Sequence, residues 1–308
     1  MPTIICFLLA LQWGGVTYPW SSGRIIGLFV TAGVLAIAFI ALQFKLGDEG
    51  TIPPRLFKQK DIVLAFLFSF VFGAGFFALI FYLAIYFQSV LGSSATQAGI
   101  QMLPLLIATV LSSIVTGGLI TAIGLYVPIM IFCMALFAIG SGLITTFALH
   151  TPLSKWFGFQ VIAGLGIGVG FQSAILIIQT ILPMRDIPVA TACVSFFQTL
   201  GGSIFIAVAQ TLFQKGLLNG ITSKSDLPAA IFLKSGATEI KSILAQLGRS
   251  NDLDIVRQAY VKGLTDTFWI SCACAIAGFV ISLGLKWRNI KKGHGQDKEK
   301  AGMAVAAL

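Results

Sequence analysis

Charge is what this sequence has least of. Only 10% of its residues are Asp, Glu, Lys or Arg and 57% are hydrophobic, whereas soluble domains carry about 25% charged residues. The deficit is concentrated in tracts: no charged side chain occurs over residues 25–44, 62–154, 156–184, 187–214 or 267–285. A hydrocarbon core about 30 Å thick needs about 20 apolar residues of helix to cross it. Each tract is near or above that length. A soluble globular domain is excluded, and an all-α polytopic transmembrane helical bundle is expected.

Other scarcities exclude more. The five cysteines, Cys6, Cys133, Cys193, Cys272 and Cys274, are odd in number and lack a framework spacing, which argues against structural disulfides. Cys272 and Cys274 stand two apart on a helix and so point to roughly opposite faces, against a shared metal. The two histidines, His150 and His294, lie near a span end and in the tail. With no paired histidine and no acid inside a tract, an integral-membrane enzyme has no support, and neither metal nor cofactor is expected. The N-terminal MPTIICFLLALQWGG has no preceding basic residue and no small-residue cleavage site. It reads as the tail of a hydrophobic helix whose beginning is missing, not as a signal peptide.

Turn chemistry divides the longest tract at Gly92-Ser93-Ser94 and at Gly124-Leu125-Tyr126-Val127-Pro128. About eight helices follow, over 3–18, 24–45, 62–89, 97–120, 126–149, 156–182, 188–213 and 266–287. Lys45, Arg55, Lys58, Lys60, Arg185 and the tail residues Lys286, Arg288, Lys291, Lys292, Lys298 and Lys300 all fall on one side under alternating topology. The other side has only Arg24 and Lys155 in short loops, so the first set is placed in the cytoplasm. The formal charge of +9 is thereby a topology signal, and no nucleic-acid partner is needed. The expected organisation is two linker spans and a cytoplasmic loop over 1–61, five spans over 62–213, an extracytoplasmic loop over 214–265, a last span over 266–287 and a basic cytoplasmic tail over 288–308. Within the long loop Ile240, Ile243, Leu244 and Leu247 repeat at helical spacing, which suggests a short amphipathic helix, and Asn251 or Asp252 could cap another helix leading into the last span. The segment reads as a packed connector on the membrane surface, or else as an external lid.

GLGIGVGFQ, Gly164–Gln172, has the look of a phosphate loop but lies inside an uncharged tract, with no strand before it and no lysine beside it. At about 100° per residue, Gly164 and Gly168 share one helix face, and Gly166 and Gly170 the opposite one. Small residues four apart let membrane helices approach closely, so tight packing on two sides is expected. Gln172 and Gln179 continue near the Gly164/Gly168 face. An amide in hydrocarbon needs a partner or a watery cavity, and this stripe suits a wall beside a polar cavity. On the next span Ser195, Gln198 and Gly202 share a face, with Gly201, Phe197 and Phe205 close by, while Tyr82 and Tyr86 stand four apart in FYLAIYFQ. The plainer reading of the glutamines is bonding between helices, and of Tyr86 a place in an interfacial belt.

Several stretches resemble one family, the fungal fourteen-span drug:proton antiporters of the major facilitator superfamily, which include toxin efflux pumps. LALQWGG (Leu9–Gly15) with Tyr18, Trp20 and Arg24-Ile25-Ile26 is similar to the join of that family's seventh and eighth spans. IPPRLFKQ (Ile52–Gln59) is similar to the loop before its ninth, and YLAIYFQSVLGSSATQAGIQMLP (Tyr82–Pro104) to its ninth-to-tenth connection. GLGIGVGFQ and FQTLGG (Phe197–Gly202) resemble its twelfth and thirteenth spans. GGLITAIG (Gly117–Gly124) resembles a degenerate copy of the superfamily's cytoplasmic loop motif, with Thr121 and Ala122 where an acid and a base are expected. The resemblance covers the C-terminal part alone, so the chain is expected to lack an N-terminal half, and with it the family's coupling carboxylate.

What the resemblance implies is a multi-pass membrane efflux transporter of drugs, toxins or secondary metabolites, working by proton antiport and alternating access. Its partners would be a small-molecule substrate and protons, through the missing half, and the lipid bilayer. The plasma membrane is the expected location, with vacuolar or vesicle membranes as alternatives. Candidate substrate-lining residues are Tyr82, Tyr86, Gln101, Gln172, Gln179 and Gln198; candidate packing residues are Gly164, Gly166, Gly168, Gly170, Gly201 and Gly202. The competing reading is a non-transporting remnant or membrane interaction partner.

Overall fold

The computed structural model describes residues 2–14, 18–46, 54–223, 231–232 and 239–287. The basic tail over 288–308, and parts of the connections over 47–53 and 224–238, lie outside the described residues. Among the described residues ten helices are bounded, in chain order: α1 Pro2–Trp13, α2 Gly23–Leu46, α3 Lys60–Ser89, α4 Ala95–Gln101, α5 Leu103–Ile123, α6 Val127–Ile144, α7 Leu153–Ile181, α8 Ile187–Thr222, α9 Ile240–Gln246 and α10 Leu253–Leu283. Short 3-10 turns at Pro54–Lys58 and Ser250–Asp252 lead into α3 and α10. Among the described residues, seven helices are long and apolar enough to cross a membrane.

α1 is not one of the seven. It has 12 residues, about 18 Å of helix, because the chain turns at Gly14, whose Cα faces the Trp20 ring. The expected span over 3–18 is thus helical only as far as Trp13 among the described residues. The expected helix over 97–120 is also two pieces. Ser94 caps α4, accepting from the Gln97 backbone N–H (3.3 Å) while the Gln97 side chain accepts from the Ser94 N–H (3.2 Å). Such a box satisfies two first-turn donors at once. α4 stops at Met102, and Pro104 restarts the chain at the head of α5, where a missing N–H costs nothing. Gly124 ends α5 at φ +81°, in the left-handed region that glycine reaches without strain.

α3 sits at the centre, packed on α7, α8 and α10, while α7 is held between α5 and α6. Tyr82, Phe68, Phe72, Phe87, Phe137 and Phe268 are among the largest fully buried side chains. α2 packs chiefly on α1 and stands apart from this core.

The largest departure from expectation is over 214–265. α8 continues to Thr222 and α10 begins at Leu253, so much of the segment read as a loop is a pair of packed helices. Gly216 lies against Gly263 and Gly220 against Ala259, and Leu217, Ile221, Val256, Tyr260 and Leu264 fill the seam. The charges that suggested a loop, Lys215 and Lys262 among them, stand on the outer faces. α9 carries Ile240 and Leu244 buried, with Leu247 outside.

Candidate functional site

The two glycine faces of α7 meet two different helices. A Cβ at Gly164 would lie 2.5 Å from the Leu105 carbonyl oxygen, and one at Gly168 2.5 Å from that of Thr109 and 2.7 Å from Ser112 Cβ, all on α5. On the other side, Gly166 faces the backbone of Cys133 and Phe137 on α6, and Gly170 faces the Phe72 ring of α3. The closeness lets α5 hydroxyls reach α7 backbone: Ser112 donates to the Leu165 carbonyl (2.5 Å) and Ser113 to that of Gly168 (2.7 Å). Interhelical bonds of this kind hold membrane bundles where hydrophobic burial gives no preference.

α3 and α8 approach reciprocally. Gly201 of α8 lies on the Phe70 carbonyl, and Gly73 of α3 lies on the Gln198 carbonyl. Gly202 is covered by the Phe77 ring. Gly73 and Gly140, which lies on Ala163 of α7, were not singled out from the sequence. The signal was there as the small clusters Gly73-Ala74-Gly75 and Gly140-Ser141-Gly142 inside apolar tracts.

The expected lining residues do not form one group. Tyr82 and Tyr86 are fully buried. The Tyr82 hydroxyl donates to Gln210 Oε1 at 3.0 Å, and the Tyr86 hydroxyl to the Ala148 carbonyl at 2.8 Å, with the Phe147 ring 5.0 Å away. In this conformation both tyrosines are buried within the bundle, each hydroxyl taken up by a neighbouring group. Gln101 accepts from the Ser93 hydroxyl (2.9 Å), and its own carbonyl accepts from Gln160 Nε2 (3.1 Å), which ties α4 to α7. Gln198 is half-buried with its Nε2 enclosed and without an acceptor.

Gln172 and Gln179 are different. Both are exposed, on a stripe of α7 with Leu165 seven residues before. Gln172 Oε1 lies beside Gly117 of α5. Next to the stripe, the half-buried Phe171 meets Phe76 of α3 edge-on at 4.8 Å, and Phe76 meets Phe77 at 5.1 Å. Through Phe77 over Gly202 this aromatic wall reaches α8, where Ser195 and Thr199 are exposed. At its other end, Leu165 borders an apolar groove of about 400 Å³ lined also by Leu103, Ile107, Leu111 and Phe157. Amide, hydroxyl, ring and alkyl surfaces are thus offered together, without a fixed charge. Such a surface can hold molecules with both apolar and hydrogen-bonding parts. Among the described residues, no three of His, Cys, Asp or Glu gather where a metal could sit.

One contact was not anticipated. Arg55, in the turn before α3, donates to Asp186 Oδ1 at 2.7 Å, joining that turn to the connection between α7 and α8. Arg55 had been read only as a loop charge.

No protein-family model matches the sequence. Curated proteins do. The chain is 41% identical over 292 residues to the MFS-type efflux pump MFS1 of Arthroderma benhamiae, covering 94% of this chain and 54% of that protein. It is 40% identical over 293 residues to the aspyridones efflux protein of Neocamarosporium betae, covering 94% and 51%. It is 38% identical over 293 residues to the efflux pump aflT of Aspergillus parasiticus, covering 94% and 56%. These relatives are transporters, not enzymes, and the chain spans about half the length of those it matches. Along nearly its whole length, then, this multi-pass membrane chain is a homologue of the fungal efflux pumps of the major facilitator superfamily.

Proposed function

We propose that this bundle forms one wall of an export pathway for amphipathic small molecules, working by alternating access with a second bundle. The observation that carries the proposal is the exposed stripe of α7. Gln172 and Gln179 stand on the outside of a helix whose residues 156–184 carry no charge. An exposed amide facing lipid tails lacks hydrogen-bond partners, which costs free energy. Facing a water-filled path or an opposing bundle, it is satisfied, and intramembrane polar residues generally point that way. The relatives that match over 94% of the chain are efflux pumps, one of them for aspyridones, which favours small molecules of mixed polarity as cargo.

In the proposed mechanism the glycine seams let α7 stay close to α5 and α6 while the bundle rocks, and the substrate sits between repeats near the midplane, as in other secondary transporters. Gln172 and Gln179 bond its polar groups, and Phe171, Phe76 and the groove beside Leu165 take its apolar part. Tyr82 holds Gln210 from behind. Gln198 offers its enclosed Nε2 when the packing around it opens, and Gln101 and Tyr86 hold the ends of the bundle. Proton antiport requires a group that changes protonation within the membrane. No charged residue lies inside tracts 62–154, 156–184, 187–214 or 267–285, so the coupling carboxylate is assigned to the opposing bundle. We assign the plasma membrane as the location and the basic connections to the cytoplasm.

The test replaces the matching segment of one of these relatives with this chain and follows export of a fluorescent amphipathic dye from yeast lacking their own drug pumps. Export by the chimera should fall about tenfold with Gln172→Leu and Gln179→Leu together, as loss of one or two hydrogen bonds implies, with surface expression unchanged. Undiminished export by the double variant contradicts the assigned pathway.

A further inference from the structure

At the end of the bundle opposite His150, three elements leave a recess between them. The start of α3, the end of α7 and the segment after α10 enclose a cavity of about 400 Å³ lined by Gln59, Lys60, Asp61, Ile181 and Lys286. It has nothing to do with the α7 stripe or the aromatic wall. Its chemistry is that of an anion site on a membrane surface. Lys60 and Lys286 are both exposed, and no ion pair is described for either among the described residues. α3 begins here without a side-chain cap from Gln59, and its Ile62 and Val63 N–H groups are already bonded to the Gln59 carbonyl, so what the helix brings to the recess is the positive end of its dipole. Asp61 is 8% exposed and forms the inner wall, leaving two cations toward the mouth against one enclosed carboxylate. Trp287, 68% exposed, follows Lys286 directly, and exposed tryptophan beside the end of a span sits at headgroup level.

We infer that this recess binds the phosphate of an anionic phospholipid headgroup, with Lys60 and Lys286 as its two cationic arms, the positive end of the α3 dipole beside them and Trp287 resting on the headgroup layer. A phosphate fits the polarity, and a lipid fits the location: the recess lies where spans end, and basic pockets between transmembrane helices on the cytoplasmic side take anionic headgroups. The same end carries Lys58 and Arg185, while Arg55 and Asp186 offset each other, so the local field supports the binding. The lipid would tie the N-terminus of α3 to the C-termini of α7 and α10, the three elements that enclose the cavity. Asp61 limits the affinity, and removing its charge should raise it.

The experiment uses the whole chain, purified in detergent, exchanged into mixed micelles of phosphatidylcholine and phosphatidylserine, and read by native mass spectrometry for retained lipid. The wild type should retain phosphatidylserine in preference to phosphatidylcholine. Lys60→Gln with Lys286→Gln should lower that preference roughly tenfold, as two surface lysines imply, and Asp61→Asn should raise it. Lys291→Gln with Lys292→Gln, which neutralises tail charges, should keep the preference, as should Lys155→Gln at the opposite end. The inference is overturned if the double Lys60/Lys286 variant retains phosphatidylserine as the wild type does. It is also overturned if the tail variant alone loses the preference, or if soluble glycerol 3-phosphate displaces the lipid and binds as well in its absence, which would make the ligand a free phosphate. Should the Lys60/Lys286 variant aggregate, Asp61→Asn decides: no gain in phosphatidylserine retention contradicts the site.

Discussion

The two sides of α7 differ as sharply as any two regions of the molecule. Between Gly164 and Gly170 four glycines are buried against backbone and ring atoms of α5, α6 and α3, while Leu165, Gln172 and Gln179 stand exposed on the same helix. α2 shows what a helix looks like without such a division: its Gly23, Gly27 and Gly33 have nothing within 4 Å of a would-be Cβ, and only 11% of its span is buried against 61% for α7. Glycine in a membrane helix therefore has no fixed meaning. On α7 it removes bulk where a neighbouring backbone arrives, and on α2 it leaves a smooth surface to the surroundings. Polar residues follow the same logic, since the serines of α5 are satisfied by α7 carbonyls, Gln160 of α7 is satisfied by the Gln101 carbonyl, and Gln172 and Gln179 are left to face outward.

Bulk on the glycine side should have the largest effect. Leucine at Gly168 would press on the Thr109 carbonyl and the Ser113 backbone nitrogen, where neither neighbour can rotate away, and it would part the helices that Ser112 and Ser113 join. Overpacking typically costs about 1–3 kcal/mol, and rigid backbone contacts lie at the upper end. Gly168→Leu should fail to give a monodisperse peak in detergent or should melt well below the wild type, whereas Leu165→Ala, three residues earlier on the exposed edge, should change little. Equal behaviour of the two variants would remove the distinction between the faces.

A smaller effect is expected at the Arg55–Asp186 pair. Asp186 is 13% exposed at its side chain and Arg55 36%, an intermediate setting for an ion pair, between the fully exposed pairs that contribute about 0–1 kcal/mol and buried ones that are costly to break. Arg55→Ala should lower thermal stability in detergent by an amount equivalent to about 1 kcal/mol, and Asp186→Ala should add little once Arg55 is gone. Full additivity in that double-mutant cycle would mean that the two side chains do not act together.

The smallest effect, and of opposite sign, belongs to a glycine with no neighbour. Gly118 has nothing within 4 Å of a would-be Cβ, although Gly117 beside it faces the Gln172 side chain. Gly118→Ala should raise helix stability by about 0.5–1 kcal/mol through the lost freedom of the unfolded chain. A clear loss of stability would indicate that another helix closes on α5 there.

How much was legible in the sequence varied with the kind of force involved. The helices over 62–89 and 156–182 could be read because lipid excludes charge over their whole length, and the breaks at Gly92 and Gly124 because both glycines take positive φ. The glycine faces of α7 followed from helical spacing alone. What could not be read was which partner arrives at each face: the small-residue clusters at Gly73 and Gly140 mark a smooth surface but do not name the helix that meets it. The start of α10 was legible in the possible cap at Asn251 or Asp252, whereas the extension of α8 to Thr222 was hidden because charge was taken as the mark of a loop, although Gly216 and Gly220, like Ala259 and Gly263, stand four apart. Tyr82 and Tyr86 show the limit for sites. Spacing put them on one face, but only the fold shows their hydroxyls taken up by Gln210 and Ala148.

Access of water to the α7 stripe is the most direct test. In a chain whose five native cysteines are replaced by serine or alanine, single cysteines at Gln172 and Gln179 should react with a membrane-impermeant thiol reagent in vesicles, and an amphipathic dye should slow the reaction. A cysteine at Val30 of α2, 59% exposed on a helix outside the core, should react only with a lipid-soluble reagent. If the two α7 positions behave like Val30, the stripe faces lipid and the pathway lies elsewhere.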